Sequence, residues 1–151
     1  SSIGVLPNLK RYLDETRCHL AISMHDAFPD ERGELMPVQK AYPLKDVISL
    51  IRQYDFTGQR RVSFEYTMFS GFNDDKRHAD GIIRLLSGLE CRVNLIRFHK
   101  IPDFPYVSSH LLSLLSSCIA TGQSGRPHKT AVRIGQLFPS TPRESSQAVY
   151  I

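Results

Sequence analysis

From His19 to Phe28 the chain reads HLAISMHDAF, and its apolar and polar positions alternate with a period of two. Leu20, Ile22 and Met24 fall on one side, and Ala21, Ser23 and His25 fall on the other. This predicts a strand that is apolar on one face and ends in a small polar cluster, Ser23-Met24-His25, before a turn. Such a strand suits the ligand-facing edge of a barrel or open sheet. Its apolar side packs on helices, and its polar side meets a ligand at the carboxyl end.

The same reading organises the chain up to about residue 102. Pro7 fits the first turn of a helix, and Leu6, Leu9, Tyr12 and Leu13 recur at helical spacing. Asp26 to Pro43 is polar and holds Pro29 and Pro37, so it reads as a functional loop on the rim of the site. Pro43 opens a helix whose stripe is Leu44, Val47, Ile48, Ile51 and Tyr54. A second strand runs from Arg61 to Phe69, with Val62, Phe64, Tyr66 and Met68 on one face and Ser63, Glu65 and Thr67 on the other. Asn73 and Asp74 are the expected caps of a helix carrying Ala79, Ile82, Ile83, Leu86 and Leu89. A third strand is predicted over Cys91–His99. The order strand, helix, strand, helix, strand implies an α/β chain of about three parallel strands with crossover helices. Three strands cannot close a barrel, so the pattern fits a small open sheet or part of a larger barrel.

Beyond Pro102 the character changes. Fifteen of the 19 Lys and Arg and fourteen of the 15 Asp and Glu lie at or before Val107, so the tail is thinly basic. Ser109 to Ile119 reads as one apolar helix, and the sequence from Thr121 reads as disordered. The tail lacks the interleaved aromatics that stack bases, so its charge is weak support for RNA binding.

Composition narrows the class. Hydrophobic and charged fractions of 41% and 23% are those of an ordinary globular chain, and no run of apolar residues is long enough to span a membrane. The three cysteines, Cys18, Cys91 and Cys118, are scattered, which fits reduced thiols in the cytoplasm, with Cys18 and Cys91 buried. His19, His78, His110 and His128 do not fall at metal-ligand spacings with any cysteine, and no metal ligands are expected. Glu65 has two open readings, a ligand or proton acceptor inside a barrel and a structural ion pair.

Five segments occur in one order with one spacing: LAISMH, ELMP, PLKDV, RRVSFEYTMF followed by GFND, and CRVNLIRFHKIP. Together they closely resemble the carboxyl-terminal half of the radical S-adenosylmethionine enzymes that methylate adenine C2 in 23S ribosomal RNA and in certain transfer RNAs. The resemblance implies a partial (β/α) radical S-adenosylmethionine barrel over residues 1–102 and an atypical tail over 103–151. It also implies S-adenosylmethionine as cofactor, rRNA and tRNA as substrates, a cytoplasmic monomer, and no membrane partner.

Residue by residue, the resemblance places Ser1 at the serine before the G-x-x-P turn that contacts S-adenosylmethionine. It places Ser23, Met24 and His25 at the tripeptide lining the cofactor site, and His99 where the family has an asparagine; Arg97 replaces the family's proline. The family holds a [4Fe–4S] cluster on C-x-x-x-C-x-x-C and carries methyl on a cysteine in a C-G-Q-L segment. Neither motif occurs here, Cys118 has no C-G neighbour, and the chain is expected to be inactive alone. The cluster motif is expected upstream of Ser1, and a shifted reading frame would explain the break near Pro102. Two rivals remain at this level. One is a related enzyme methylating adenine C8, and the other is a truncated, non-catalytic module that binds RNA through its tail.

Overall fold

The computed structural model describes residues 6–56, 61–110, 131–135 and 148–150. Helix α1 spans Leu6–Glu15, and Leu9 and Leu13 are its buried positions. Its outer side carries the i,i+4 pairs Lys10–Asp14 and Arg11–Glu15, exposed contacts that contribute a few tenths of a kcal/mol each. The Thr16 hydroxyl donates to the Tyr12 carbonyl at 2.9 Å and closes the helix end.

Strands β1 (His19–Ser23), β2 (Val62–Met68) and β3 (Arg92–Arg97) lie side by side and parallel, in the register Ile22↔Phe64↔Val93 and Ser23↔Glu65↔Asn94. The connections carry α2 (Pro29–Leu35), a 3₁₀ turn (Pro37–Lys40) and α3 (Leu44–Ile51) between β1 and β2, and α4 (Lys76–Leu86) between β2 and β3. Their apolar stripes meet one face of the sheet. Leu44, Val47, Ile48 and Ile51 of α3 and Ala79, Ile82 and Leu86 of α4 share one core with Leu20, Ile22, Met24, Phe64, Tyr66, Met68, Val93 and Leu95. The opposite face holds Ser23, Ser63, Glu65, Thr67 and Asn94, all half-buried. Parallel sheets are ordinarily covered on both sides by apolar residues. A parallel sheet with one polar, half-open face is what the inner wall of a barrel looks like.

Several expectations are corrected. The three expected parallel strands are present, and among the described residues two more extend the sheet to the order β4-β3-β2-β1-β5, because β4 (Ala131–Gly135) pairs with β3 and β5 (Ala148–Tyr150) pairs with β1, both parallel. These two segments lie within the stretch read as disordered from Thr121; AVRIG and AVY are short β-branched runs that an unpaired edge strand can recruit. The rest of that stretch, and residues 111–119 of the apolar helix expected after Ser109, fall outside the described residues. The polar segment 26–43, expected as a functional loop, carries α2 and the 3₁₀ turn over much of its length. The cap of α4 is Asp75, whose carboxylate accepts the His78 N–H at 2.9 Å. Asn73 and Asp74, two residues and one residue earlier, hold the preceding turn instead. Leu89 is buried but lies past the end of α4. Of the thiols expected to be buried, Cys91 is so and Cys18 is half-buried.

Gly81 sits inside α4 where a helix ordinarily disfavours glycine. A Cβ there would lie 3.0 Å from the Phe28 ring and 3.2 Å from the Ala27 Cβ, so glycine lets α4 close onto the turn after β1. Gly81→Val is expected to lower unfolding stability by about 2 kcal/mol, the usual cost of overpacking a fixed contact. A denaturant midpoint equal to that of the parent would show that the two elements do not meet this closely.

Candidate cofactor-facing site

The predicted corner is built at the carboxyl end of β1. Met24 and His25 both donate their backbone N–H to the Glu65 carbonyl, at 2.9 and 3.1 Å. His25 then turns into the left-handed region with φ 55°, and the strand ends at Ser23, two residues before the His25 to which the alternation would carry it. Its ring takes over from the backbone, because Nδ1 accepts the Thr67 N–H at 3.1 Å. His19 does the same at the other end of β1, accepting the Arg61 N–H at 3.1 Å. With Nδ1 accepting, the neutral His25 ring carries its proton on Nε2 and offers one donor there. Burial, and then the Arg32 charge, pull the His25 pKa down to about 4, so the ring is neutral at neutral pH.

Two buried residues fasten this corner. Arg32 of α2 donates from Nε to the Met24 carbonyl and from NH2 to the Ser23 carbonyl, each at 2.9 Å, and from NH1 to Gln39 Oε1. Gln39 Oε1 also accepts the Leu44 N–H at 3.1 Å, which ties the 3₁₀ turn to the start of α3. Asn73 donates from Nδ2 to the His25 carbonyl at 2.7 Å and the Thr67 carbonyl at 2.9 Å, and its Oδ1 accepts the Phe69 N–H at 2.7 Å. The Tyr66 hydroxyl donates to the Asn73 carbonyl at 2.7 Å. The sequence marked Asn73 as a cap and gave Arg32 no role; only the three-dimensional closure of the 26–43 segment reveals either.

The structure treats the expected site residues unequally. The side chains of Ser23 and His25 lie on the half-open polar side, as the alternation predicts. Met24 faces the core, fully buried, and its backbone N–H and carbonyl are both engaged. His99 lies two residues beyond the end of β3 and is exposed, at the same end of the sheet as His25. Ser1 falls outside the described residues.

Beside Ser23, the cross-strand row continues through Glu65 and Asn94. Glu65 Oε1 accepts the Ser63 hydroxyl at 3.2 Å and the Asn94 amide at 2.7 Å. Asn94 Oδ1 is buried with no hydrogen-bond partner among the described residues. Arg133 of β4 stands opposite Asn94 in the next strand, so both readings of Glu65 stay open. The arrangement can hold a polar ligand along one row of the sheet: a hydroxyl at Ser23, an N–H donor at His25, and acceptors at Glu65 and Asn94.

Comparison with known proteins gives this geometry a setting. No family model matches the chain. It is 54% identical over 114 residues to a probable dual-specificity RNA methyltransferase RlmN of Parabacteroides distasonis, an alignment covering 76% of this chain and 33% of that protein. The protein of the same name from Porphyromonas gingivalis strain W83 is 59% identical over 109 residues, covering 72% and 32%. A crystal structure of a radical SAM methyltransferase from Sphaerobacter thermophilus superposes with a TM-score of 0.74 at 33% identity, covering 87% of this chain and 38% of that one. The chain thus spans about a third of the length of the curated relatives it matches. With the parallel sheet, the polar inner face and these likenesses together, the chain belongs to the RlmN family of radical S-adenosylmethionine RNA methyltransferases.

Proposed function

We propose that residues 1–102 supply the later wall of the barrel in an enzyme that methylates C2 of adenine in 23S rRNA and tRNA, with S-adenosylmethionine as its cofactor and the cytoplasm as its location. The observation that carries this reading is the Ser23–His25 corner, set at the carboxyl end of parallel strands and facing the polar side of the sheet. The residues present fit an adenosyl ligand: Ser23 Oγ and His25 Nε2 would hold its polar edge, and Glu65 would receive a cationic amine or ribose hydroxyl. S-adenosylmethionine supplies the methyl group and the 5′-deoxyadenosyl radical in such enzymes. This chain's own part is to bind and orient that molecule. The neutral His25 donates a fixed hydrogen bond, and the helices behind the sheet keep solvent from that side.

The residues do not fit a [4Fe–4S] cluster. Cys18, Cys91 and Cys118 form no C-x-x-x-C-x-x-C run, and no step through such a cluster is assigned to this chain. Reconstituted alone with iron and sulfide, the chain is expected to develop no cluster absorbance and to methylate no RNA.

The test is a graft of residues 1–102 into the matching segment of the full-length Porphyromonas gingivalis relative, expressed in cells lacking their own adenine methyltransferase. Mass spectrometry of rRNA and tRNA nucleosides is expected to find C2-methyladenosine. His25→Ala in the graft is expected to lower the yield about tenfold or more, the scale of losing one positioned hydrogen bond. A C8-methylated product would support the related enzyme instead, and an unmethylated product from a folded graft would refute the proposal.

A further inference from the structure

On the core side of the same corner, the structure gathers a second set of polar groups that the cofactor-facing site does not use. Asp26 follows His25 directly, Glu31 lies in the first turn of α2, and His78 lies in the first turn of α4. One donor atom from each falls within 4.8 Å of the others. His78 Nε2 stands 2.7 Å from Glu31 Oε2 and 3.6 Å from Asp26 Oδ2. We propose that Asp26, Glu31 and His78 bind a divalent first-row cation that ties the turn after β1 to the start of α4.

The decisive atom is Asp26 Oδ2. Asp26 is fully buried, its Oδ1 accepts the Phe28 N–H at 2.7 Å, and its Oδ2 has no hydrogen-bond partner among the described residues. Leaving a buried carboxylate oxygen unpaired is costly. A protonated His78 does not cure this. An imidazolium has two N–H groups, and here Nδ1 points at Asp75 Oδ1 (2.6 Å) while Nε2 points at Glu31 Oε2. Each N–H already has a carboxylate acceptor, and Asp26 Oδ2, at 3.6 Å from Nε2, lies beyond hydrogen-bond range. A cation attracts donors from several directions at once, so it can take Asp26 Oδ2, Glu31 Oε2 and His78 Nε2 together, the imidazole releasing its Nε2 proton to solvent.

The surroundings are those of a supported ligand set. Asp75 on Nδ1 fixes the ring and its tautomer, the usual carboxylate–histidine–metal relay. Arg77 donates to the other Glu31 oxygen at 2.7 Å, and Phe28 stacks edge-on against the His78 ring at 5.3 Å. One imidazole nitrogen and two carboxylate oxygens suit Zn²⁺, Mn²⁺ or Co²⁺, with water completing the shell. Sequence spacing hides the set, because its members come from three elements and the histidine lies far along the chain from both carboxylates. The inference stands independently of the methyltransferase reading.

Cobalt tests it directly. Co²⁺ is titrated into the full 151-residue chain after stripping with chelator. One equivalent is expected to bind with the visible bands of nitrogen and oxygen ligation and no sulfur-to-cobalt charge-transfer band, and Zn²⁺ is expected to displace it. Asp26→Asn and Glu31→Gln are each expected to weaken binding about 10- to 100-fold, as losses in a metal site do. Glu31 is partly exposed, so Glu31→Gln keeps the test valid should Asp26→Asn fail to fold. The proposal is overturned by an absence of saturable cobalt binding, by a thiolate spectrum, or by parent-like affinity in a folded Glu31→Gln chain.

Discussion

Asn73→Ala is expected to destabilise the chain by about 3–4 kcal/mol, read as a lower denaturant midpoint at unchanged slope. The size follows from what the side chain serves. Its amide closes the His25 and Thr67 carbonyls and its oxygen closes the Phe69 N–H, all at 2.7–2.9 Å in a residue with no solvent exposure. Alanine leaves three backbone groups buried without partners. Asn73→Asp is the sharper variant, because it keeps the acceptor for Phe69 but turns a negative oxygen toward two carbonyls. It is expected to be worse than alanine, by about 1 kcal/mol. If aspartate proved milder than alanine, the amide could not be the group that joins the ends of β1 and β2.

Arg32→Ala is expected to cost a comparable amount, about 3–5 kcal/mol, since it removes a buried guanidinium that satisfies two carbonyls and Gln39 at once. Arg32→Lys keeps the charge but loses the planar fork, and it is expected to recover less than half of the loss. The readout specific to this role is the His25 backbone amide. Because Arg32 fixes the carbonyls just before it, hydrogen exchange at His25 is expected to accelerate in both variants more than exchange at Leu95, in the middle of β3. Equal acceleration at both sites would mean that Arg32 stabilises the fold without fastening the corner.

The parts of the fold that could be read from the chain are those fixed by local periodicity. Alternation in VSFEYTM and in CRVNLIR marks strands because period two separates Phe64 and Tyr66 from Ser63 and Glu65 whatever the neighbours are. The same alternation places Ser23 and His25 on the polar side and Met24 in the core, although the resemblance implied that all three line the cofactor site. What escaped depends on closure in space. Asn73, Asp74 and Asp75 are all capping residues by type, and only the path of the turn decides that Asp75 caps α4 while Asp74 takes Gly71 N–H and the Ser109 hydroxyl. Arg32, inside a stretch read as a loop, carries no signal of its own until α2 folds it under the strand end. The strands β4 and β5 lack flanking periodicity and become strands only by pairing with edges already present.

The row formed by Ser63, Glu65 and Asn94 sets a condition on whatever packs over that surface. Among the described residues Asn94 Oδ1 has no donor and the half-buried Glu65 carboxylate takes donors from Ser63 and Asn94 alone, so an aliphatic covering would cut that carboxylate off from water at a penalty of several kcal/mol. A partner bearing N–H or O–H groups at those spots would be welcomed. The wall is therefore selective by chemistry before it is selective by shape: greasy intruders are turned away, and hydrophilic guests such as nucleosides find complementary lone pairs waiting.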